Sequence, residues 1–274
     1  MKKRTIKALA VAILLAALLA FPAYKLSAVS ESTVILGNVM GSGVTTLVRG
    51  LLQGQVHNFK DAVKCLAYGS VSGYGFYQSK KLVAADRVFS GILLANLSAS
   101  VIDNVTSGEG PLSYIGFSLP LARIEIATPL ARQKRSLLRV TVSPRDVISL
   151  ALSLSKSDRV SLRNGMLAFE ADTPLAANVR GWAYGIFPTM LSGTDESVYR
   201  HEMVHVVQSL QLMAASPEPF LKSYRREQGK AKFLNFAGFR AQAFGLANDL
   251  TLAKAQSYTN YWKEAEAYHL VQSL

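Results

Sequence analysis

Two histidines and a glutamate toward the C-terminal end of the chain have the types and spacing of a metal site with an adjacent base. They lie in the stretch YRHEMVHVVQSLQ, residues 199–211. Residues four apart share one face of a helix, so His201 and His205 can direct their rings at one cation. Neutral imidazoles are good zinc ligands, and Glu202 lies off that face but near enough to accept a proton from water there. The alternative is an amphipathic helix in which both histidines border the core and Glu202 is solvated.

A catalytic zinc site usually has three protein ligands, so two histidines leave this one incomplete. The residues three and six positions after His205 are Gln208 and Gln211, which excludes the long metzincin motif with its third histidine. The candidates for the third ligand among the later side chains are Asp249, Glu264, Glu266 and His269. Glu266 is an alternative to Glu264, because Glu266 and His269 would share a helix face.

The segments HEMVHVVQ, FLKSY and KEAEAY resemble the small bacterial gluzincin-type zinc metallopeptidases over roughly residues 181–274. The HExxH spacing is itself a signature of zinc peptidases. The resemblance implies a zincin-like core in which a second helix supplies Glu264 as the third zinc ligand. It also implies that the small residue Ala267 lets the two helices pack closely. Many gluzincins have a histidine-orienting aspartate where this chain has Tyr268, whose phenol could serve instead.

The activity implied is hydrolysis of a peptide or protein substrate by zinc-activated water, with Glu202 as general base. In zincins an edge strand before the HExxH helix binds the substrate backbone, and GWAYGIF, residues 181–187, lies where that strand is expected. Candidate donors to the oxyanion are Tyr224, Tyr258 and Tyr261. We interpret His57, far upstream, as structural. An inactive, membrane-associated zincin-like scaffold is the alternative function, and a non-peptide amide is an alternative substrate.

The N-terminal residues predict export. Four basic residues, Lys2, Lys3, Arg4 and Lys7, precede the apolar run ALAVAILLAALLAFPAY. This is the pattern of a signal peptide or a short membrane anchor. We interpret it as an anchor whose basic end is cytoplasmic, with the rest of the chain facing the periplasm or exterior. If the segment is cleaved, the protein is secreted.

The charge balance bears on partners. Thirty Lys and Arg against 18 Asp and Glu give a net charge of +12, with the basic residues scattered along the chain. This favours attraction to an anionic lipid or polymer surface over specific nucleic-acid binding. Cys65 is the single cysteine, which excludes an internal disulfide and a cysteine-based metal cluster.

The pattern of elements predicts an α+β protein in three parts. Residues 1–28 are the signal or anchor helix, residues 29–105 are a helical membrane-proximal region, and residues 106–274 are the zincin-like domain. Within that domain we expect a small antiparallel sheet over residues 106–190 and the metal-site helices over residues 194–274.

Apolar residues recur at helical spacing over residues 44–66 and 79–105, which predicts two helices. The glycine-rich segment YGSVSGYGFYQ between them predicts a flexible connection, and GNVMGSGVTT predicts a turn leading into the first helix.

Five segments, LSYIGFS, ARIEIA, LLRVTVS, RVSLR and MLAFEA, predict strands, and Asn164-Gly165 predicts a tight hairpin between the last two. The segment NVRGWAYGIFPTM is a further strand candidate. A short helix is expected within SPRDVISLALSLSKS, and Thr194-Asp195-Glu196 predicts the start of the HExxH helix, which should run to about Ala215.

Overall fold

The computed structural model describes residues 30–119, 121–131, 137–142, 144–174, 179–215 and 262–272. This part of the chain is mixed α+β. Its helices are α1 (Glu31–Leu52), α2 (Phe59–Ala84), α3 (Val88–Thr106), α4 (Pro144–Ser155), α5 (Glu196–Ala215) and α6 (Trp262–Gln272). Its strands are β1 (Tyr114–Leu119), β2 (Ala122–Ala127), β3 (Leu138–Val142), β4 (Arg159–Arg163), β5 (Met166–Ala171), β6 (Gly181–Tyr184) and β7 (Phe187–Leu191).

The predicted boundaries of the first helices are wrong. The expected helix over residues 44–66 is interrupted after Leu52, because Gly54 has a φ of 66° and Asn58 caps a new helix by accepting a hydrogen bond from the Asp61 N–H. The expected helix over residues 79–105 is likewise divided at Asp86, whose φ is 62°. Three helices, α1 to α3, therefore replace two.

Both glycine-rich segments are helical, so the predicted turn and the predicted flexible connection are also wrong. The small residues are needed for a close approach of α1 and α2. A Cβ on Gly73 of α2 would lie 2.2 Å from the backbone oxygen of Asn38 in α1, and a Cβ on Gly69 would lie 2.5 Å from Thr46 Oγ1. Tertiary packing thus outweighs the low helix propensity of glycine.

The strands form two sheets, which corrects the expectation of a single antiparallel sheet. One has the order β1-β2-β3 and is antiparallel, and the other has the order β4-β5-β7-β6. The second sheet is mixed, because β5 and β7 run parallel while the β6–β7 hairpin places β6 at the edge. The Asn164-Gly165 hairpin is confirmed, with both residues at positive φ.

The three-stranded sheet has an unusual orientation. Its polar face lies toward α3, where Arg123 of β2 donates to Asp103, and Asn96 and Ser100 of α3 bind the β1 backbone. The register groups the apolar side chains on the opposite face, and three of them are 46 to 58% exposed. Those three are Ile126, Leu138 and Val140. An antiparallel sheet more commonly buries its apolar face.

The core of the described residues is continuous from α1 to α6 and includes β5 and β7. Helix α5 lies at its centre and contacts α2, α3, α6, β6 and β7. Most α5 side chains are buried, including Tyr199, Met203 and Val207, so this helix is covered on nearly all sides. Helices α1 to α3 therefore share one core with the helix that carries the HExxH motif. The three-part domain division stays a prediction.

Two described helices, α1 and α3, are long and apolar enough to cross a membrane by length and composition alone. However, 50% and 61% of their most apolar windows are buried inside the protein, as is usual for core helices. This is weak evidence for a membrane protein. The segment on which the export prediction depends, residues 1–28, lies outside the described residues.

The α1–α2 crossing generates the first prediction. Replacing Gly73 by Ala should reduce the free energy of unfolding by about 1–3 kcal/mol, because the added methyl group meets a backbone carbonyl that cannot rotate away. Gly75→Ala in the same helix is the matched control, since its methyl group meets only the Ser98 side chain. Urea unfolding of both variants would measure the difference. Equal stabilities would contradict the proposed crossing.

Candidate metal centre

The start of α5 sets the positions of the two histidines. Asp195 precedes the helix, and its carboxylate accepts hydrogen bonds from the backbone N–H groups of Ser197, at 2.9 Å, and Val198, at 3.2 Å. This arrangement satisfies two of the N–H groups that a helix start leaves free. The predicted helix start is confirmed, and His201 and His205 lie one turn apart on a single face.

His201, His205 and Glu264 converge at the contact between α5 and α6. His201 Nε2 lies 3.1 Å from Glu264 Oε2, and His205 Nε2 lies 3.1 Å from Glu264 Oε1. The two Nε2 atoms are also 3.1 Å apart. The three side chains are only 7 to 13% exposed. The geometry thus brings together the two histidines and the glutamate selected from the sequence.

This arrangement fits a tetrahedral metal ion. Ligand atoms about 2.0–2.2 Å from such an ion are themselves about 3.3 Å apart, close to the observed separations. Two imidazole nitrogens and a carboxylate are all electron-pair donors, so they repel one another unless a cation or shared protons lie between them. The donor set, two nitrogens and one oxygen, is one that zinc accepts.

The tautomer of His205 follows from a neighbouring amide and the two acceptors that orient it. Gln208 donates through its side-chain N–H₂ to the Lys263 carbonyl, at 3.0 Å, and to Glu266 Oε2, at 2.8 Å. Its oxygen therefore points the other way, 2.7 Å from His205 Nδ1. Because an amide oxygen can only accept, Nδ1 must carry the hydrogen. In the neutral ring the lone pair is then on Nε2, the atom that faces His201 and Glu264.

Burial and mutual contact control the ionisation of the four groups. Burial lowers the pKa of His201, and burial raises the pKa of Glu202 to about 8. Burial also acts to lower the pKa of His205, but the hydrogen bond and charge of Glu264 outweigh it and raise the pKa to about 9. Burial acts to raise the pKa of Glu264, but hydrogen bonds from both histidines hold it far below its usual value. Protons can thus occupy the position between these groups that a metal ion would take.

Glu202 lies beside this cluster at the inner end of a cleft. Its side chain is 2% exposed, and its Oε2 has no hydrogen-bond partner among the described residues. The cleft has a volume of about 350 Å³, and its described lining includes His201, Glu202, Gly181 and Tyr268. Glu202 is therefore not a solvated helix glutamate, and the alternative of an ordinary amphipathic helix is not supported at this residue.

The two glutamates of α6 face in different directions. Residues two apart on a helix are rotated by about 200°, so one carboxylate can face the histidines only if the other faces away. Glu264 is the one at the histidines, whereas Glu266 lies against Lys80, with Nζ to Oε2 at 2.9 Å. Ala267 is fully buried. Among the described residues, the group of side chains that could hold a metal ion consists of His201, His205 and Glu264.

Tyr268 contacts the site through its ring. Its centroid lies 4.6 Å from that of His201, and the side chain is 38% exposed beside the cleft. The group that orients a histidine ring is Gln208, for which sequence reasoning had assigned no role. Its signal was its position three residues after His205, on the same helix face. Candidate residues outside the described part of the chain are Asp249, Tyr224, Tyr258 and Tyr261.

Comparison of the chain with protein-family models, with curated proteins and with solved structures found no match. The interpretation of the site therefore depends on its geometry and on the sequence motif.

The geometry predicts binding of about one zinc ion per chain. His201→Ala and His205→Ala should each weaken zinc affinity by more than the 10–100-fold that is typical when an orienting group is lost, because each removes a ligand. His57→Ala and His269→Ala are the matched controls and should retain zinc, since neither belongs to the cluster. Metal content after dialysis, measured by mass spectrometry, would test this. Zinc binding that is independent of His201 and His205 would place the metal elsewhere.

Proposed function

We propose that this protein is a zinc metallopeptidase of the gluzincin type, in which His201, His205 and Glu264 bind zinc and Glu202 is the general base. The observation that carries the proposal is the convergence of these three side chains within 3.1 Å, next to a buried carboxylate at the end of an open cleft. A buried glutamate with an unpartnered oxygen beside such a cluster is costly for folding, which favours a functional reason for its position.

Bound zinc would supply a Lewis acid that polarises a carbonyl and lowers the pKa of water. The chain's own residues supply the remaining requirements. Glu202 accepts the proton of the attacking water at its free carboxylate oxygen and can then donate it to the leaving amine. The low exposure of Glu202 and of the three ligand side chains keeps bulk water away from these groups.

Strand β6 supports a peptide as the substrate. It lies at the edge of its sheet and contacts α5, and Gly181 at its start lines the same cleft as Glu202. An extended peptide can pair with the free backbone groups of such an edge. The substrate-binding strand is expected within residues 181–187, and β6 lies there. Strand β6 ends at Tyr184, because the chain turns at Gly185.

The role of Glu202 has a direct test. Glu202→Gln should keep about one zinc ion per chain and lower peptide hydrolysis by about 10²–10⁴-fold, because the amide cannot accept the proton. Hydrolysis of a fluorogenic peptide library, with zinc content measured in parallel, would check this. Glu196→Gln, on the same helix but outside the cleft lining, is the matched control and should keep its activity.

The same measurements separate the alternatives. A Glu202→Gln variant that cleaves peptides as well as wild type would contradict the mechanism. A wild-type protein that binds zinc but cleaves no peptide, and no amide-containing cell-wall fragment, would favour the inactive scaffold. Cleavage of such fragments alone would retain the chemistry and change the substrate class.

The contact between β6 and Glu202 gives a second test. A Cβ on Gly181 would lie 2.8 Å from Glu202 Cγ and Oε1 and 2.9 Å from Val198 Cγ1, so Gly181→Ala should displace the Glu202 carboxylate. Small displacements of a catalytic group can cost on the order of 100-fold in rate. We expect kcat to fall by about 10–100-fold with zinc content unchanged. Unaltered kcat would show that the position of Glu202 is not limiting.

A further inference from the structure

A fully buried ion pair lies behind the metal centre, on the side away from the cleft. Lys80 of α2 and Glu266 of α6 are each 1% exposed, and Lys80 Nζ lies 3.0 and 2.9 Å from the two carboxylate oxygens. Lys80 also donates to Asn38 Oδ1 and Gln211 Oε1, each at 2.7 Å, and Asn38 donates to Glu266 Oε1 at 2.5 Å. Replacing such a pair with apolar residues is often neutral or stabilising, so stability alone is weak grounds for its presence.

The pair is connected to a candidate metal ligand by a single amide. Glu266 Oε2 accepts from the Gln208 side-chain N–H₂, and the Gln208 oxygen accepts from His205 Nδ1. A neutral amide can rotate by 180° and exchange its donor and acceptor ends, so Gln208 alone does not determine the tautomer of His205. The Glu266 carboxylate and the Lys263 carbonyl, which accepts from the same N–H₂ group at 3.0 Å, offer only acceptor oxygens, so together they hold the donor end of the Gln208 amide toward α6.

We propose that Lys80 and Glu266 are positioning residues for the metal centre, acting through Gln208 to keep the lone pair of His205 on the nitrogen that faces the metal. This inference rests on the proposed function, because it assigns a role to residues behind that same site. It also gives α1 and α2 a function. These helices supply Asn38 and Lys80, which hold the Glu266 carboxylate in one orientation.

The replacement of Glu266 by glutamine isolates this role, because the two side chains are nearly the same size. In the Glu266→Gln variant, the Asn38 N–H₂ group favours the amide oxygen on its own side, so the N–H₂ group at position 266 would face the N–H₂ group of Gln208. Rotation of the Gln208 amide relieves this clash at the cost of its hydrogen bond to the Lys263 carbonyl, and it then presents a donor to His205 Nδ1. The hydrogen of His205 must move to Nε2, where it blocks the metal.

The expected result is a loss of zinc affinity in Glu266→Gln of about 10–100-fold, the usual effect of losing an orienting group. Zinc affinity would be measured at fixed pH by competition with a chromophoric chelator. The absorption spectrum of the Co²⁺-substituted protein would report a change in ligand geometry independently of activity.

The double variant Gln208→Glu/Glu266→Gln should restore zinc affinity. In it, the carboxylate introduced at position 208 accepts both from His205 Nδ1 and from the amide introduced at position 266, so the tautomer of His205 is again determined. We expect affinity within about threefold of wild type, well above that of Glu266→Gln alone. A purely structural role for the Lys80–Glu266 pair would not be rescued by moving the charge to position 208.

Asp103→Asn is the matched control. Asp103 Oδ1 forms another largely buried ion pair with Arg49, at 2.7 Å, that links α1 and α3 but is not connected to His205. Asp103→Asn and Glu266→Gln should both destabilise the zinc-free protein toward urea, but only Glu266→Gln should weaken zinc binding and change the Co²⁺ spectrum.

The possible outcomes are distinct. Equal zinc affinity in wild type and Glu266→Gln would overturn the positioning role, and so would a double variant that binds zinc as weakly as Glu266→Gln. A wild-type protein that binds no zinc would overturn both this inference and the proposed function. Zinc binding that depends on Glu266 in a protein without hydrolytic activity would support the inference and remove the proposed function.

Discussion

The arrangement of α5 and α6 depends on one electrostatic requirement. His201, His205 and Glu264 present three electron-pair donors to one another at 3.1 Å in a largely buried position. Burial makes repulsion between such groups more costly than it is in water, so a cation must lie between them, as protons or as a metal ion. A cation at this position would therefore also help to hold α6 against the central helix, beside the core contacts of Ala267 and Leu270.

The parts of this site that sequence could predict are those set by local rules. The register of α5 follows from the Asp195 cap, and the four-residue spacing of His201 and His205 follows from the helical period. Local rules could not decide whether Glu264 or Glu266 faces the two histidines. Both lie in the same helix, and what separates them is a partner 186 residues distant, Lys80, which only the folded chain brings to Glu266.

Sequence patterns failed where tertiary contacts outweigh local preference. Glycines within YGSVSGYGFYQ indicated a flexible connection, but at Gly73 the absence of a side chain is what allows α1 and α2 to cross closely. The alternation of apolar and polar residues in ARIEIA correctly predicted strand β2. The same alternation carries no information about which face of the strand is buried. The outward apolar face of β1-β2-β3 arises because α3 offers Asp103 and other polar groups, which pair with the polar face.

Tyr268 lies where the gluzincin resemblance predicts a histidine-orienting aspartate, and in this structure the ring nitrogen His205 Nδ1 contacts Gln208. A carboxylate can only accept, so an aspartate determines a histidine tautomer without assistance. In this chain the acceptor for His205 is the amide of Gln208, which has a donor end and an acceptor end. Such an amide needs other groups to select its orientation, and the Lys263 carbonyl and the Glu266 carboxylate meet that need because both accept from its N–H₂ group. A buried glutamate in turn needs a counter-charge, which Lys80 supplies from α2. The contacts of Gln208, Glu266 and Lys80 thus connect His205 to a helix far upstream in the chain.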